Sequence, residues 1–152
     1  MQRRNASLHL LLHTAHLVEE ALRDDFAAIG IQPRQARVLD TLERLGSVTQ
    51  AEMARAHSVT AASMSTMIDR LADAGLVERR QHPQRRRDHI VSLTARGRDL
   101  LGAVDQVWQR CDERIESLIG KRQAKEYFAT TRALRDGLGG EAPHRRAAKT
   151  AG

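Results

Sequence analysis

The chain has 152 residues, of which 41% are hydrophobic and 29% charged, and its formal net charge is +6. This composition is typical of one globular domain rather than a disordered chain, and no apolar run approaches the roughly 20 residues of a membrane span. The single cysteine, Cys111, excludes an internal disulfide, and the scarcity of aromatic residues argues against a β-sandwich.

The N-terminal segment leads into the first predicted helix. Arg3 and Arg4 precede a short apolar stretch, as in a signal peptide, but histidines interrupt that stretch and no small-residue cleavage site follows. We therefore expect a cytoplasmic protein with no membrane partner. Apolar residues then recur at spacings of three and four over residues 8–29, which predicts an amphipathic helix that ends at Gly30.

Three shorter helices are predicted next. Pro33 suits the first turn of the second helix. Thr49, followed by Glu52, has the spacing of a capping box at the start of the third helix. Thr60 can cap the fourth helix, and Gly75 closes it. The short loop between the third and fourth helices predicts a helix-turn-helix.

A β-hairpin is predicted after these helices, with strands at residues 76–80 and 89–93 around a polar loop. Between residues 79 and 98 there are seven arginines and one acid, so this segment carries the whole formal net charge of +6. A charge so concentrated indicates a surface for a polyanion, although such a run can also be no more than a solvated loop.

Two further helices complete the prediction. Thr94 can cap a long helix whose apolar stripe extends over 101–119, and a last helix covers 127–138. A helix of about 25 residues spans roughly 37 Å, which exceeds what a domain of this size covers with its own core. The tail, 139–152, lacks apolar periodicity, and we expect it to be disordered.

The predicted fold is mainly α with a small β-hairpin wing, that is, a winged helix-turn-helix with additional helices at both ends. The second helix of the helix-turn-helix, which is the fourth helix of the chain, would enter the major groove of double-stranded DNA. The arginines of the hairpin would contact phosphates or an adjacent minor groove. Small side chains allow the backbone to approach the base edges closely. Those on the predicted recognition helix are Ala61, Ala62, Ser63, Ser65 and Thr66.

One long segment resembles the MarR family of bacterial transcriptional regulators. VTAASMSTMIDRLADAGLVERRQHPQRRRDHIVSLTARG, residues 59–97, is similar to that family's recognition helix and wing. Upstream, IQPRQARVLDTL and TQAEMARA resemble its second and third helices, so that the resemblance covers about residues 8–138. It implies a homodimer, formed by the N-terminal helix within 1–30 and the helices within 99–138, around a DNA-binding domain at 31–98. A two-fold dimer implies a pseudo-palindromic operator, and we expect a repressor.

The resemblance also assigns individual roles on the DNA. The family's phosphate-contacting hydroxyl falls on Ser65, and the next contact falls on Thr66. The arginine of its D-R-L triplet is Arg70, and its wing-tip arginine, similar to a minor-groove reader, is Arg87, beside Arg86. The family usually has an aspartate two residues before that arginine, where this chain has Arg85. Asp88 can partly take the place of that aspartate.

A small-ligand site is the least defined part of the prediction. Many relatives bind an aromatic or phenolic anion between the dimer helices and the winged lobe. Here His9, His13 and His16 lie along one helix at spacings of four and three, and Trp108 can line the same crevice. The histidines can contact a ligand, hold a metal, or simply be exposed or interface residues. The last alternative is the commonest for helix histidines, and we therefore expect no metal and no cofactor. Cys111 falls in an apolar stripe and is expected to be an inert thiol.

Competing function classes remain at this stage. An enzyme is not expected, because the chain has no nucleophile–base arrangement, phosphate-binding loop or zinc-protease motif. A non-specific nucleoid-type or RNA-binding protein would use the same basic wing without an operator. A protein-interaction module built on a winged helix would not bind DNA at all.

Overall fold

The computed structural model describes residues 7–140, and within them helices surround one small sheet. This arrangement confirms the predicted mainly helical fold with a β-hairpin wing. Residues 1–6 and the predicted tail from 141 onward lie outside the described residues. In chain order the elements are α1 (Ser7–Ala28), α2 (Pro33–Leu45), β1 (Val48–Thr49), α3 (Gln50–Ala56), α4 (Ala61–Asp73), β2 (Val77–Gln81), β3 (His89–Leu93), α5 (Ala95–Ile119) and α6 (Lys121–Gly137).

Threonine side chains begin three of these helices, as their sequence positions predict. Thr49 Oγ1 accepts a hydrogen bond from the Glu52 amide at 3.2 Å, and the Glu52 carboxylate accepts one from the Thr49 amide at 2.9 Å. Thr60 and Thr94 each accept the amide three residues further on, at 3.1 and 3.0 Å. Each cap satisfies a backbone donor that the first turn of a helix leaves without an intrahelical partner.

The sheet has three antiparallel strands in the order β1-β3-β2, where the sequence predicted a two-stranded hairpin. Val77 pairs with Leu93, and Val48 of the additional strand pairs with Val91. The prediction missed β1 because two residues are too short to show an alternating pattern. This strand ties the start of α3 to the base of the wing, so that the helix-turn-helix and the hairpin share one support.

The core lies between the helix-turn-helix, the sheet and parts of α1 and α5. It contains most of the predicted apolar stripes, and its largest fully buried side chains include Phe26, Leu39, Leu42, Met64, Ile68, Val91, Val104 and Val107. The apolar stripes continue beyond this core in the first half of α1 and the second half of α5, where their side chains are exposed. Leu8 is 61% exposed and Leu118 is 76% exposed. The core of one chain therefore does not cover its terminal helices.

Trp108 anchors α5 to both α1 and α2. Its ring meets Phe26 edge-on, with 4.7 Å between the ring centroids. Its indole nitrogen donates a hydrogen bond of 2.7 Å to Asp40 Oδ2. Burial raises the pKa of Asp40, and the bond from Trp108 opposes that rise. Because the indole N–H and the carboxylate satisfy each other, Trp108 can lie at the inner edge of the core.

Candidate nucleic-acid interface and adjoining cavity

A tight turn sets the angle between α3 and α4. His57 ends α3, and Ser58 adopts a φ of 51°, in the left-handed region that few non-glycine residues occupy. The Val59 amide then donates to the Ala54 carbonyl at 3.0 Å, which closes the turn, and Thr60 caps α4. The predicted helix-turn-helix is therefore held by backbone hydrogen bonds as well as by its core.

The outer face of α4 carries the predicted recognition residues. Met64, Ile68 and Leu71 bury the opposite face. Thr66 Oγ1 donates to the Ala62 carbonyl at 3.2 Å, which leaves the oxygen of that hydroxyl as an acceptor. Six residues were predicted to contact DNA from this helix. Ala61, Ala62, Ser63, Thr66 and Arg70 are exposed, and Ser65 is half-buried.

The tip of the wing is a turn and not an extension of the two strands. The Asp88 amide donates to the Arg85 carbonyl at 2.9 Å, and the His82 amide donates to the Asp88 carbonyl at 2.8 Å. The sequence analysis placed the three arginines on a hairpin tip without a turn of this kind. In a turn, adjacent side chains do not alternate between two faces as they do along a strand. The hydrogen bonds and ion pairs of the three arginines therefore indicate which of them is available to DNA.

Those partners separate Arg85 from its two neighbours. The Arg85 guanidinium pairs with Asp88 at 3.2 Å, and the Arg85 amide donates to Nδ1 of His82 at 3.2 Å. The side chains of Arg86 and Arg87 have no ion pair among the described residues. Asp88 therefore balances the charge of Arg85, and the uncompensated charge of the tip lies on Arg86 and Arg87.

Not all of the arginines counted in the basic segment are available to a polyanion. Arg79 pairs with Asp69 of α4 at 2.7 Å, and only 29% of its side chain is exposed. Arg80 pairs with Glu78 at 3.0 Å, and Arg98 donates to a backbone carbonyl at 2.9 Å. The Arg79–Asp69 pair fixes the wing against the recognition helix, a role that sequence analysis did not assign. The D-R-L triplet that contains Asp69 was the only signal.

A cavity of about 800 Å³ lies where α1, α5 and α6 meet the helix-turn-helix lobe. Apolar and aromatic side chains form most of its wall, and polar or charged groups reach it from three helices and from the turn after α3. The lining residues that matter below are Glu19, Arg34, Arg37, His57, Trp108 and Tyr127. This size and composition are typical of a small-molecule site.

The charged groups of the cavity are unequally paired. Arg34 Nε lies 3.4 Å from Glu19 Oε1, whereas Arg37 has no ion pair among the residues that the structure describes. Burial, together with the positive charges of Arg37 and Arg44, lowers the pKa of His57 from 6.5 to about 4. The ring is therefore neutral near pH 7, and the cavity carries an excess of positive charge.

The structure places the three histidines of the predicted ligand site away from this cavity. His9, His13 and His16 are exposed and do not line the cavity. They lie on the side of α1 opposite Leu22 and Phe26, the residues that α1 buries in the core. Within residues 7–140, no group of three histidine, cysteine or acidic side chains is placed to hold a metal.

Trp108 does line the cavity. The other polar lining residues were missed because they come from several distant parts of the chain, with no local motif that joins them. Cys111 is half-buried near the same helices, and burial raises the pKa of its thiol. This shift agrees with an inert thiol, since it disfavours the reactive thiolate.

Known proteins similar to this chain are transcriptional regulators. Residues 31–89, from two residues before α2 to the first residue of β3, match the MarR family model. Over this segment the chain is similar to the MarR family. It is 28% identical over 119 residues to the HTH-type transcriptional repressor Rv2887 of Mycobacterium tuberculosis, a match that covers 78% of this chain and 86% of that protein. It is 36% identical over 69 residues to the regulator YcgE of Bacillus subtilis, over 45% of each chain.

Solved structures of the MarR family share the whole fold. A crystal structure of MarR superposes with a TM-score of 0.81 at 21% identity, over 91% of this chain and 95% of that one. The transcriptional repressor CouR, bound to a 23-mer DNA duplex, superposes with a TM-score of 0.79 at 26% identity, over 88% and 97% of the two chains. The MarR family match and these structures confirm the predicted winged-helix fold, and together with the repressor relatives they indicate a transcriptional regulator rather than an enzyme. Among the described residues, no helix is long and apolar enough to cross a membrane.

Proposed function

We propose that the protein is a cytoplasmic, homodimeric repressor that binds a pseudo-palindromic operator in double-stranded DNA and responds to a small organic ligand. The observation that carries the proposal is the exposed face of α4, where small side chains leave the backbone accessible beside a wing tip with two uncompensated arginines. A groove-binding helix with adjacent phosphate-binding cations is the arrangement that winged helix-turn-helix proteins present to DNA.

The contacts divide into positioning and reading. Ser65 is half-buried near the middle of α4, and it is suited to fix the helix on a phosphate. Ser63 lies two residues closer to the N-terminus and is exposed, so it is suited to reach base edges. Arg87, at the wing tip and without an ion pair among the described residues, is suited to the minor groove.

The terminal helices supply the surface for the second copy. Exposed large hydrophobic side chains occur on α1, at the end of α5 and on α6, which are the helices predicted to form the dimer. They are Leu8, Leu10, Leu11, Leu12, Leu17, Leu118, Ile119, Tyr127, Leu134 and, directly after α6, Leu138. Apolar surface on this scale is unusual in a soluble monomer and favours burial between two chains.

The cavity supports modulation by a ligand. It adjoins the helices of the proposed dimer on one side and α2, α4 and the turn before α4 on the other. A ligand that binds there contacts both parts and can bias their relative position. The apolar wall and the excess of positive charge favour an aromatic or phenolic anion.

Footprinting on the regulator's own upstream DNA tests the proposal. We expect a protected pseudo-palindrome of about 20 bp, because a two-fold dimer places its recognition helices about one helical turn apart. Light scattering should give about twice the chain mass of 17.0 kDa. Uniform protection without a discrete site would instead indicate the nucleoid-type alternative, and a stable monomer would refute the dimer.

A further inference from the structure

His57 connects three parts of the molecule. It ends α3 and begins the turn through Ser58 and Val59 that leads into α4. Its side chain lines the cavity, as does that of Val59, and its Nε2 lies 3.1 Å from Thr41 Oγ1 of α2. A change in the charge of this ring therefore takes place both at the ligand cavity and at the turn that orients the recognition helix.

The hydrogen bonds of Thr41 determine which nitrogen of His57 carries the proton. The Thr41 hydroxyl donates its only hydrogen to the Arg37 carbonyl at 2.8 Å, so it can only accept from the ring. Nε2 of His57 is therefore the protonated nitrogen, and Nδ1 of the neutral ring is a bare acceptor. No described group bonds to Nδ1, and no buried side-chain nitrogen lacks a partner, so solvent reaches Nδ1.

The charges around His57 come from several helices. Arg37 and Arg44 of α2 repel a proton on the ring, and Arg34, also of α2, lies in the same cavity wall. Glu19 of α1 pairs with Arg34, and Tyr127 of α6 is the remaining titratable group of the wall. No titratable residue of α4 or α5 lines the cavity. The field at the ring is therefore set mainly by guanidinium groups, of which Arg37 has no carboxylate partner among the described residues.

We propose that His57 takes up one proton when an organic anion binds in the cavity, so that anion binding is linked to pH. This inference rests on the proposed function to the extent that the cavity is the effector site. The anion neutralises the field of Arg37 and pairs directly with the ring, which opposes the burial that contributes most to the lowered pKa of His57. A proton from solvent then adds to Nδ1, which donates a hydrogen bond to the anion. Nε2 keeps its bond to Thr41, so the ring gains a charge without losing its position.

The linkage has a calculable size. If the anion returns the pKa of His57 from about 4 to its ordinary 6.5, the free ring is almost fully neutral at pH 6 and the bound ring is mostly charged. Binding at pH 6 should then take up about 0.75 proton, and the Kd should be about fourfold lower than at pH 8. At pH 8 both forms are neutral, and proton uptake should vanish.

Calorimetry with 1-naphthalenesulfonate measures this uptake directly. The sulfonate stays ionised across the pH range, so any proton taken up is bound by the protein. Titrations at pH 6 in two buffers of different ionisation enthalpy give the number of protons. The neutral analogue 1-naphthalenemethanol should bind without proton uptake.

Two variants assign the proton to a residue. In His57→Gln the amide can still donate to Thr41 but cannot titrate, so uptake and the pH dependence of Kd should both disappear. The matched control is His16→Gln, which changes an exposed histidine of α1 outside the cavity wall and should keep the wild-type uptake. If His57→Gln does not fold, imidazole ¹⁵N shifts of the wild type at pH 6, with and without the sulfonate, report the same protonation.

Each outcome bears on the inference. Binding of the sulfonate with no proton uptake, or with equal uptake in His57→Gln, overturns it and leaves the proposed function intact. Failure of the sulfonate to bind overturns the inference together with the effector role of the cavity. If the ligand-free protein gives no specific footprint, the operator proposal alone is refuted, because that experiment does not involve the cavity.

Discussion

Replacing Gly97 with alanine places a methyl group where the backbone leaves no room. Gly97 lies in the first turn of α5 and is buried against the residue that precedes β2. A Cβ at this position would lie 2.0 Å from the Leu76 carbonyl oxygen and 3.3 Å from Cδ2 of Leu93. The same carbonyl oxygen accepts a 3.1 Å hydrogen bond from the Thr94 amide. The new methyl group must therefore displace backbone rather than a flexible side chain.

The expected loss of stability follows from three effects. Overpacking against backbone costs about 1–3 kcal/mol, and weakening the bond from Thr94 costs about 1 kcal/mol. Alanine is favoured over glycine in a helix by about 1 kcal/mol, which offsets part of this loss. We expect Gly97→Ala to lower the free energy of unfolding by about 1–3 kcal/mol. In a chain of this size that corresponds to a Tm lower by about 2–12 °C.

Urea unfolding followed by circular dichroism measures the change, at one fixed protein concentration because the stability of a dimer depends on concentration. The matched control is Gly102→Ala in the same helix, where a Cβ would have no atom within 4 Å. That variant should be as stable as the wild type or up to about 1 kcal/mol more stable. Equal unfolding midpoints for the two variants would refute the argument that the contact with Leu76 requires glycine.

Three further predictions concern DNA binding and pH. Arg87→Ala should weaken operator binding by about 1–3 kcal/mol and lower the salt dependence by about one counterion, whereas Arg85→Ala should cost less because Asp88 already pairs with that charge; equal losses in a salt titration would contradict this order. Ser65→Ala should weaken binding to all sequences alike, and Ser63→Ala should change the preferred bases; binding selection from a randomised operator distinguishes the two results. Because the pKa of His57 falls to about 4 on folding, the unfolded chain binds more protons between that value and 6.5, so stability should decrease as the pH falls through this window. Urea unfolding of His57→Gln should show a shallower decrease, and an unchanged pH profile would show that another group is responsible.

Local interactions made much of this fold readable from the amino-acid sequence. The caps at Thr49, Thr60 and Thr94 depend on residues three positions away, so their spacing is visible in the sequence and the structure confirms them. The helical stripes that form the core repeat at short intervals for the same reason. The winged-helix class followed from the order of these elements and from the concentration of arginine after them.

The wing shows where local patterns were insufficient. Seven arginines in the sequence form one basic segment, but their availability depends on acids that are close in space. Arg79 is held by Asp69 of another element, and Arg85 is held by Asp88 across a turn whose hydrogen bonds no alternation rule describes. The two-residue strand β1 is a further case, since only its pairing with β3, about 40 residues away, makes it a strand.

The cavity depended most on tertiary structure. The spacing of histidines along α1 predicted a ligand site at His9, His13 and His16. These residues share one face of the helix, but it is not the face that packs against the core. The ring that lies in the cavity is His57, which reaches it only because α3 ends against α2 and beside the terminal helices. A sequence shows which residues share one face of a helix, whereas the packing of distant elements decides which face meets a neighbour, how much water remains there, and therefore which groups change their charge.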